Sequence, residues 1–424
     1  MENNKTILKG GKTIMKKIIA GLFAVVLVAG VARADVGAPA PTAKDLEKVV
    51  EEVNYVETAK SGITLSGYVD VGYVYNFSSA PAGNVVRGGS EQITGGDFNT
   101  NAVKLVLEKA LTDANEFQAG FRVDLIFGED VRTVGNGIGG VGGAGTGTIA
   151  DADSFFLEQA YVTFRVPYGN GIDLKVGKFV TWLGYEVIER PANLNITFGN
   201  IFFNAVPFFH TGISAEYAFN DIVDAGIAIT NGVNNDTTAV TGAGGEDGYG
   251  IMAKINFTNP GGNANWYHAI YYGFGNDGVS GPDFGGTTFV YDTWGNWAPK
   301  AFDDKLLLGF NFNIGFNDTD ISAATANTGN DWWAAALFAK YQFTDIFSLA
   351  GRAEYLTGDG TNSFIAGSGG AGSSDVWSWT LTAGFDLLEN FLIRAEYRFD
   401  ISSDFGAAVD DVYHTVAMQA VYTF

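Results

Sequence analysis

Apolar and polar residues alternate along most of this chain, from residue 62 onward. In the segment 411–424, every second residue from Val412 is apolar or aromatic apart from His414, while Thr415 and Gln419 lie on the other face. A period of two is typical of a strand whose two faces have different surroundings. The same pattern predicts about 16 strands, at 62–77, 103–108, 117–127, 158–167, 172–179, 210–219, 223–231, 249–257, 264–274, 287–298, 305–316, 331–343, 346–357, 375–387, 391–400 and 412–424.

The connections between these strands alternate between short and long. Short turns on one rim and long loops on the other are typical of a barrel that spans a membrane. Phe, Tyr or Trp near the ends of each apolar face fit the aromatic girdles that flank a roughly 25 Å apolar band. The sequence therefore predicts an all-β fold for 62–424, a transmembrane antiparallel up-and-down β-barrel. The long connections are 78–98, 128–153, 180–209, 232–247, 275–286, 317–330, 358–373 and 401–410.

Charged residues within the predicted strands lie on the face opposite the apolar one. A Lys or Arg that faced lipid at mid-bilayer would cost roughly 2–4 kcal/mol, so this polar face is predicted to line the lumen. A barrel of about 16 strands is wide enough for an aqueous channel. The predicted lumen-wall residues are Lys104, Arg122, Asp124, Arg165, Lys175, Arg352, Glu354, Arg394, Glu396 and Arg398.

The N-terminal region has the layout of a secretory signal peptide. Two lysines precede an apolar run at 18–29, and small residues surround Arg33 before Asp35. This run is too short to span a bilayer as a helix. We therefore expect residues 1–34 to be a signal peptide, with 1–14 as an over-called start. An N-terminal membrane anchor is the alternative.

Residues 35–61 are predicted to be a periplasmic segment that contains a short helix. Thr42 stands three residues before Asp45, in the spacing of a capping box. Apolar residues then recur at helical spacing up to Val56. Two roles stay open for this helix, because its apolar stripe could rest on the barrel or form an oligomerisation stub.

Composition narrows the chemistry that the chain can perform. Its 47 acidic and 25 basic residues give a net charge of −22, which excludes nucleic acid as a natural partner. There is no cysteine, so neither a disulfide nor a thiolate site is available. We expect no cofactor and no resident metal, although Asp and Asn oxygens of the long loops could bridge divalent cations to lipopolysaccharide.

The long connections are rich in acidic residues, among them Glu129, Asp130, Asp247 and Asp359, and they contain few basic ones. An acidic vestibule concentrates cations and repels anions within a Debye length, about 8 Å at physiological salt. We therefore expect a mild cation preference.

The third long connection, 180–209, differs from the others because it is rich in aromatic residues where they are rich in Gly, Asp and Ser. A segment of this kind is expected to leave water, because exposed aromatic clusters are unfavourable there. We expect it to fold into the lumen and to narrow it, with a constriction formed by three residues that face wall residues such as Arg122, Arg165 and Lys175. An alternative is that it packs on the rim or between subunits. The predicted constriction residues are Glu186, Glu189 and Arg190.

Two segments resemble known outer-membrane proteins. The last strand, with Tyr422 and Phe424, resembles the closing strand of outer-membrane β-barrels, in which a C-terminal Phe is the assembly signal. The segments from Gly177 to 195 and at 207–213 resemble a group of β-barrel porins described as OmpL-like. This resemblance implies a pore in the outer membrane of a diderm bacterium, with lipid, lipopolysaccharide and the barrel-assembly machinery as partners. Resemblance to 16-stranded porins implies a homotrimer.

These observations together favour a porin for the passive diffusion of ions and small hydrophilic solutes. Two alternatives stay open: a structural or adhesive outer-membrane barrel, and an anion-specific channel, which would need a ladder of basic residues. An enzyme is not expected. Neither a G-x-S-x-G nor an H-E-x-x-H motif is present, and the only histidines are His210, His268 and His414.

Overall fold

The computed structural model describes residues 62–77, 95–134, 155–234, 249–274, 287–303, 305–318, 330–359, 373–402 and 412–424. These residues form a closed antiparallel barrel of 16 strands in sequential order. The strands are β1 Thr64–Asn76, β2 Gly95–Lys109, β3 Gln118–Phe127, β4 Phe155–Val166, β5 Ile172–Val180, β6 Phe209–Ala218, β7 Val223–Asn231, β8 Tyr249–Thr258, β9 Ala264–Phe274, β10 Thr287–Trp297, β11 Leu306–Asp318, β12 Asn330–Gln342, β13 Phe347–Asp359, β14 Ser373–Leu388, β15 Phe391–Ser402 and β16 Val412–Thr423.

The described connections contain little helix. Helix α1, Asp130–Val134, follows β3, and helix α2, Asn200–Asn204, lies between β5 and β6. Two short 3-10 turns occur at Arg190–Ala192 and Lys300–Phe302. Among the described residues, no helix is both long and apolar enough to cross a membrane.

The barrel closes where β1 pairs with β16. Tyr68 lies opposite Thr423 and Asn76 opposite Thr415 in an antiparallel register. At the end of the chain, the amide of Gly67 donates to the carbonyl of Phe424 at 2.9 Å, and the amide of Phe424 donates back at 3.0 Å. Closure gives every strand two neighbours, which satisfies the backbone hydrogen bonds that lipid cannot satisfy.

The predicted strand number and fold class are confirmed, and the largest difference in strand length is at β2. Strand β2 begins at Gly95 rather than at 103, because 95–102 pair with β1 although their side chains do not alternate. Backbone pairing does not require alternating apolar side chains, so the periodicity of the sequence could not predict a strand in this polar stretch. The predicted signal peptide, 1–34, and the predicted periplasmic helix within 35–61 lie outside the described residues.

The two faces of the wall differ as the period of two requires. Large apolar side chains such as Leu337, Trp377 and Met418 are exposed on one face. On the other face lie buried polar and charged side chains such as Arg352 and Arg398. The exposed apolar face is the outward one, since lipid is the solvent in which it is stable. Tyr422 and Phe424 are also exposed, at 47% and 51%.

Candidate functional site

The connection between β5 and β6 runs through the inside of the barrel. We call residues 181–208 the inner loop. The amide of Gly184 donates to Asp292 of β10 at 3.0 Å, while Glu189 contacts Lys104 of β2. Strands β2 and β10 lie on opposite sides of the closed strand order. A segment that contacts both walls must cross the interior.

Aromatic residues of the inner loop pack as a small core inside the barrel. The rings of Phe198 and Phe202 stack at 4.5 Å between centroids, and Phe202 lies 5.1 Å from Phe208. On the other side of the loop, Tyr185 stacks on Phe338 of β12 at 4.2 Å. These buried rings explain why the loop leaves water, because each large side chain gains roughly 1.5–3 kcal/mol on burial.

Glu186 lies in a buried ion pair with the wall. Its carboxylate contacts the guanidinium of Arg352 at 2.5 Å, and Arg352 also contacts Glu354 at 2.9 Å. The amide of Gly199 donates to Glu186 at 2.7 Å. Burial raises the pKa of Glu186 to about 7, against the opposing effect of Arg352 and with a further increase from Glu354. Removal of one partner from a buried pair of this kind is strongly destabilising, because the other charge stays buried and uncompensated.

Arg190 is buried where the inner loop meets helix α1. Its guanidinium contacts Asp130 at 2.7 Å, donates to the carbonyl of Ile196 at 2.9 Å and lies 4.1 Å from the centre of the Phe198 ring. Asp130, one of the acidic loop residues expected to form the solvent-filled vestibule, is fully buried. That expectation was wrong for Asp130 because a cation from a distant part of the chain neutralises it.

Glu189 belongs to a mixed cluster of charges on β2, β3 and β4. The ammonium of Lys104 contacts Asp124 at 3.0 Å, Glu158 at 2.8 Å and also Glu189. The three carboxylates lie close enough together, within 4.8 Å, to be metal ligands. Lys104 contacts all three of them, so the lysine supplies the positive charge that three converging carboxylates require.

Three wall residues on β15 bind the main chain of the inner loop. Arg394 donates to the carbonyls of Asn193 and Arg190 at 2.6 and 2.9 Å. Arg398 donates to the carbonyl of Phe198 at 2.5 Å. Glu396 accepts from the amide and the hydroxyl of Thr197 at 3.0 and 2.6 Å. These charge-assisted bonds satisfy loop carbonyls and amides that no strand partner satisfies.

The other predicted wall residues pair within the wall. Arg122 contacts Asp124 at 2.7 Å, and Arg165 contacts Asp173 at 2.6 Å. Lys175 contacts Glu216 at 3.4 Å. The wall groups expected to face the constriction residues were Arg122, Arg165 and Lys175, whereas the partners in the structure are Arg352, Lys104 and Asp130. The difference arises because Arg122, Arg165 and Lys175 have carboxylate partners on their own or adjacent strands.

Several residues of this site were missed by sequence reasoning. Glu158 is buried beside Lys104, and Asp292 and Asn311 accept the amides of Gly184 and Tyr185 at 3.0 and 3.2 Å. A usable signal was present, since acids and amides at polar positions of strands were candidates for lumen groups. Their partners could not be found from spacing, because they come from distant parts of the chain.

The match to a family model extends over the whole barrel. Residues 62–424 match the model described as "Putative beta-barrel porin-2, OmpL-like". The chain belongs to this porin family. The protein is therefore located in the outer membrane of a Gram-negative bacterium. The resemblance to OmpL-like porins, noted around Gly177, is confirmed.

Solved outer-membrane proteins share the fold of this porin. The channel DcaP of Acinetobacter baumannii has a TM-score of 0.56 and 13% identity over 86% of this chain and 98% of its own. An anion-selective porin from Comamonas acidovorans has a TM-score of 0.56, 12% identity and coverage of 85% and 99%. OmpT of Vibrio cholerae, in its trimer form, has a TM-score of 0.53, 11% identity and coverage of 85% and 99%. The comparison with curated proteins gave no match.

Proposed function

We propose that this porin lets ions and small hydrophilic solutes diffuse passively across the outer membrane, and that the inner loop narrows its lumen. The observation that carries the proposal is the bridge that the loop makes between opposite walls, from Lys104 on β2 to Asp292 on β10. A segment bound to both walls occupies cross-section that solutes would otherwise use. In this proposal Glu186, Glu189 and Arg190 fix the edge of the narrow region.

A deletion tests the narrowing. Removal of 188–200 takes away the contacts of Arg190 and of the loop main chain with β15. We expect a larger single-channel conductance in planar bilayers, because less of the lumen is filled. The matched control deletes 135–147, an equally long, glycine-rich part of another long connection. Folding of both variants is checked by heat-modifiable migration on gels. An unchanged conductance in the folded 188–200 variant would contradict the narrowing.

The proposed mild cation preference rests on charge. The chain has 47 acidic against 25 basic residues, and the long connections hold many of the acids. The described inward wall is mixed, since Lys175 and Lys254 pair with Glu216. We therefore expect a reversal potential that favours cations moderately in a KCl gradient. A reversal potential of the anion-selective sign would refute this part of the proposal.

A structural barrel is the second candidate function, and the packing inside the barrel favours it. Buried apolar residues from the inner loop and the wall form a cluster that includes Phe179, Leu183 and Met252. An interior filled in this way could serve a scaffold as well as a pore. Planar-bilayer recording separates the two functions, because a scaffold gives no ion steps. An anion-specific channel lacks such support, since wall cations such as Lys104, Arg122, Lys175 and Arg352 are paired with acids.

We also propose that the protein is not an enzyme and that it forms a trimer. His268 and His414 are on the outward face, bonded to Tyr291 and Tyr397 at 2.8 and 2.6 Å, while His210 is buried inside. His210 therefore lies on the opposite side of the wall from the other two histidines and cannot share a substrate with them. The trimer follows by analogy with the trimer form of OmpT, and the mass of the detergent-solubilised protein tests it.

A further inference from the structure

Five partly exposed aromatic side chains lie inside the barrel, on the inward wall and on the part of the inner loop beside it. They are Tyr161 on β4, Trp182 and Tyr185 of the inner loop, Tyr267 on β9 and Trp294 on β10, and all are partly exposed. Tyr267 and Trp294 stack at 4.8 Å with 18° between their planes, and Tyr185 meets Trp294 edge-on at 5.9 Å. We call these five residues the aromatic surface.

Charged groups stand directly beside these rings. The ammonium of Lys254 lies 4.9 Å from the centre of the Trp182 ring, and that of Lys175 lies 4.9 Å from the Tyr161 ring. Both lysines pair with Glu216, and the three side chains keep 12%, 22% and 28% of their surface exposed. Hydrogen-bonding groups and aromatic faces are thus available to one solute.

The pairing of these charges indicates what kind of solute fits. An ionic solute is selected by a wall that carries excess charge of the opposite sign. Here Lys175 and Lys254 share the carboxylate of Glu216. Near them Arg122 is shared by Asp124 and Glu108, so the three basic and three acidic groups carry no net charge. Such a wall offers donors and acceptors in alternation with little net field. It suits a neutral solute that carries many hydroxyl groups.

The rings add a second requirement. Large aromatic side chains that remain partly exposed in a water-facing wall indicate a binding surface. Diffusion of ions does not require such side chains, whereas ligand sites are commonly lined by them. The face of an aromatic ring is negative and attracts the positive C–H bonds of a solute. A solute that presents C–H bonds on a flat face and hydroxyls around its edge satisfies both requirements, and pyranose rings have this form.

We propose that the aromatic surface, with Lys175, Lys254 and Glu216, is a binding site for the rings of neutral carbohydrates on their way through the pore. This inference rests on the proposed pore function and names its substrate class. The sugar stacks on Trp294 or its neighbours, and its hydroxyls bind the paired charges at the edge. Transport stays passive, and the site raises the flux of sugars at low concentration.

Two substitutions of Trp294 test the aromatic face and the N–H group independently. Among the described residues, the indole N–H of Trp294 has no hydrogen-bond partner. Trp294→Phe keeps an aromatic face and removes a donor that makes no described bond. Trp294→Ala removes the face itself. Trp266→Ala is the matched control, since Trp266 lies on neighbouring β9 but is 52% exposed on the outward face.

The experiment measures the ion current through single channels while maltotriose is added, with a poly(ethylene glycol) of equal mass as the probe of simple volume exclusion. In the wild type we expect saturable block by maltotriose that exceeds the effect of the polymer. Trp294→Ala should raise the half-blocking concentration about five-fold, and Trp294→Phe by less than about two-fold, as expected for the loss or retention of one stacked ring. Trp266→Ala should leave it unchanged.

The outcomes separate this inference from the pore function beneath it. Stable ion steps without saturable maltotriose block in the wild type would overturn the sugar site and leave the porin standing. Block that Trp294→Ala and Trp266→Ala weaken equally would also overturn it. A folded wild type without ion steps would overturn the pore function, and with it the transport of sugars. If Trp294→Ala does not fold, the wild-type comparison with the polymer and Trp294→Phe still decide the question.

Discussion

Two parts of the inward wall carry the same kinds of residues and have different surroundings. On β13 and β15, Arg352, Arg394 and Arg398 are buried and bind the inner loop. On β4 and β5, Arg165 and Lys175 keep 16% and 22% of their side chains exposed and form ion pairs with acids of the wall. The first part holds the loop, and the second part faces the lumen.

This comparison shows that position on a polar face does not define the role of a charge. A buried pair loses several kcal/mol when one partner is removed, because the other charge stays behind without water. A partly exposed pair contributes at most about 1 kcal/mol, since water and salt replace the missing partner. Mutations in the two parts should therefore differ in kind as well as in size.

The largest expected effect is that of Arg352→Ala. It leaves Glu186 and Glu354 buried without their cation, and it removes a donor to the carbonyl of Thr197. We expect docking of the loop to weaken by about 3–5 kcal/mol. The measurements are limited proteolysis within 181–208 and the frequency of large-conductance openings, both of which should rise.

Arg165→Ala is the matched change in the open part of the wall. It should change loop protection by less than about 1 kcal/mol, because Arg165 pairs with Asp173 near the turns and does not contact the loop. Equal loop protection in the two variants would show that the buried contacts of Arg352 do not hold the loop.

A smaller effect is expected from Gly199→Ala in the inner loop. A Cβ at Gly199 would come within 2.5 Å of the Glu354 carboxylate and closer still to that of Glu186. Because the loop is packed tightly there, the variant should lose about 1–3 kcal/mol of docking free energy. Gly351→Ala is the control, since its nearest neighbour would be 3.7 Å away. The same proteolysis assay ranks the two variants, and identical protection would contradict the close approach.

A final effect concerns the response of the docked loop to pH. The pKa of Glu186 rises from 4.5 to about 7 in the docked loop, chiefly through burial, with Arg352 opposing the shift and Glu354 adding to it. Between these values the docked loop holds more protons than a released one, so docking weakens as pH rises from 4.5 to 7. Openings should be more frequent at pH 8 than at pH 5.

Glu186→Gln checks the origin of this pH dependence. Gln keeps the shape and one acceptor but cannot titrate, so the rise in openings between pH 5 and pH 8 should become smaller. A rise of the same size in the variant would mean that another group controls the response to pH.

The sequence could predict the inner loop but not its partners. Aromatic residues such as Trp182, Phe198 and Phe202 marked 180–209 as a segment that leaves water, and they do pack inside the barrel. Its role as a constriction stays a prediction. Glu186 and Arg352 are 166 residues apart, and Arg398 and Phe198 are 200 apart. No local pattern connects residues at such separations. From the sequence alone, every polar group inside the barrel was an equally good partner for either arginine.

The sequence by itself determined the strand number, the phase of the strands that alternate and the closed fold, because alternation of side chains is a local property that lipid enforces where a strand crosses the bilayer. Only the tertiary structure decided which inward charges are buried. Crossing of the barrel by the inner loop removes water from Arg352, Arg394 and Arg398 and leaves Arg165 and Lys175 partly in contact with it. The reason is that burial depends on what lies across the barrel, and residues across the barrel are far apart along the chain.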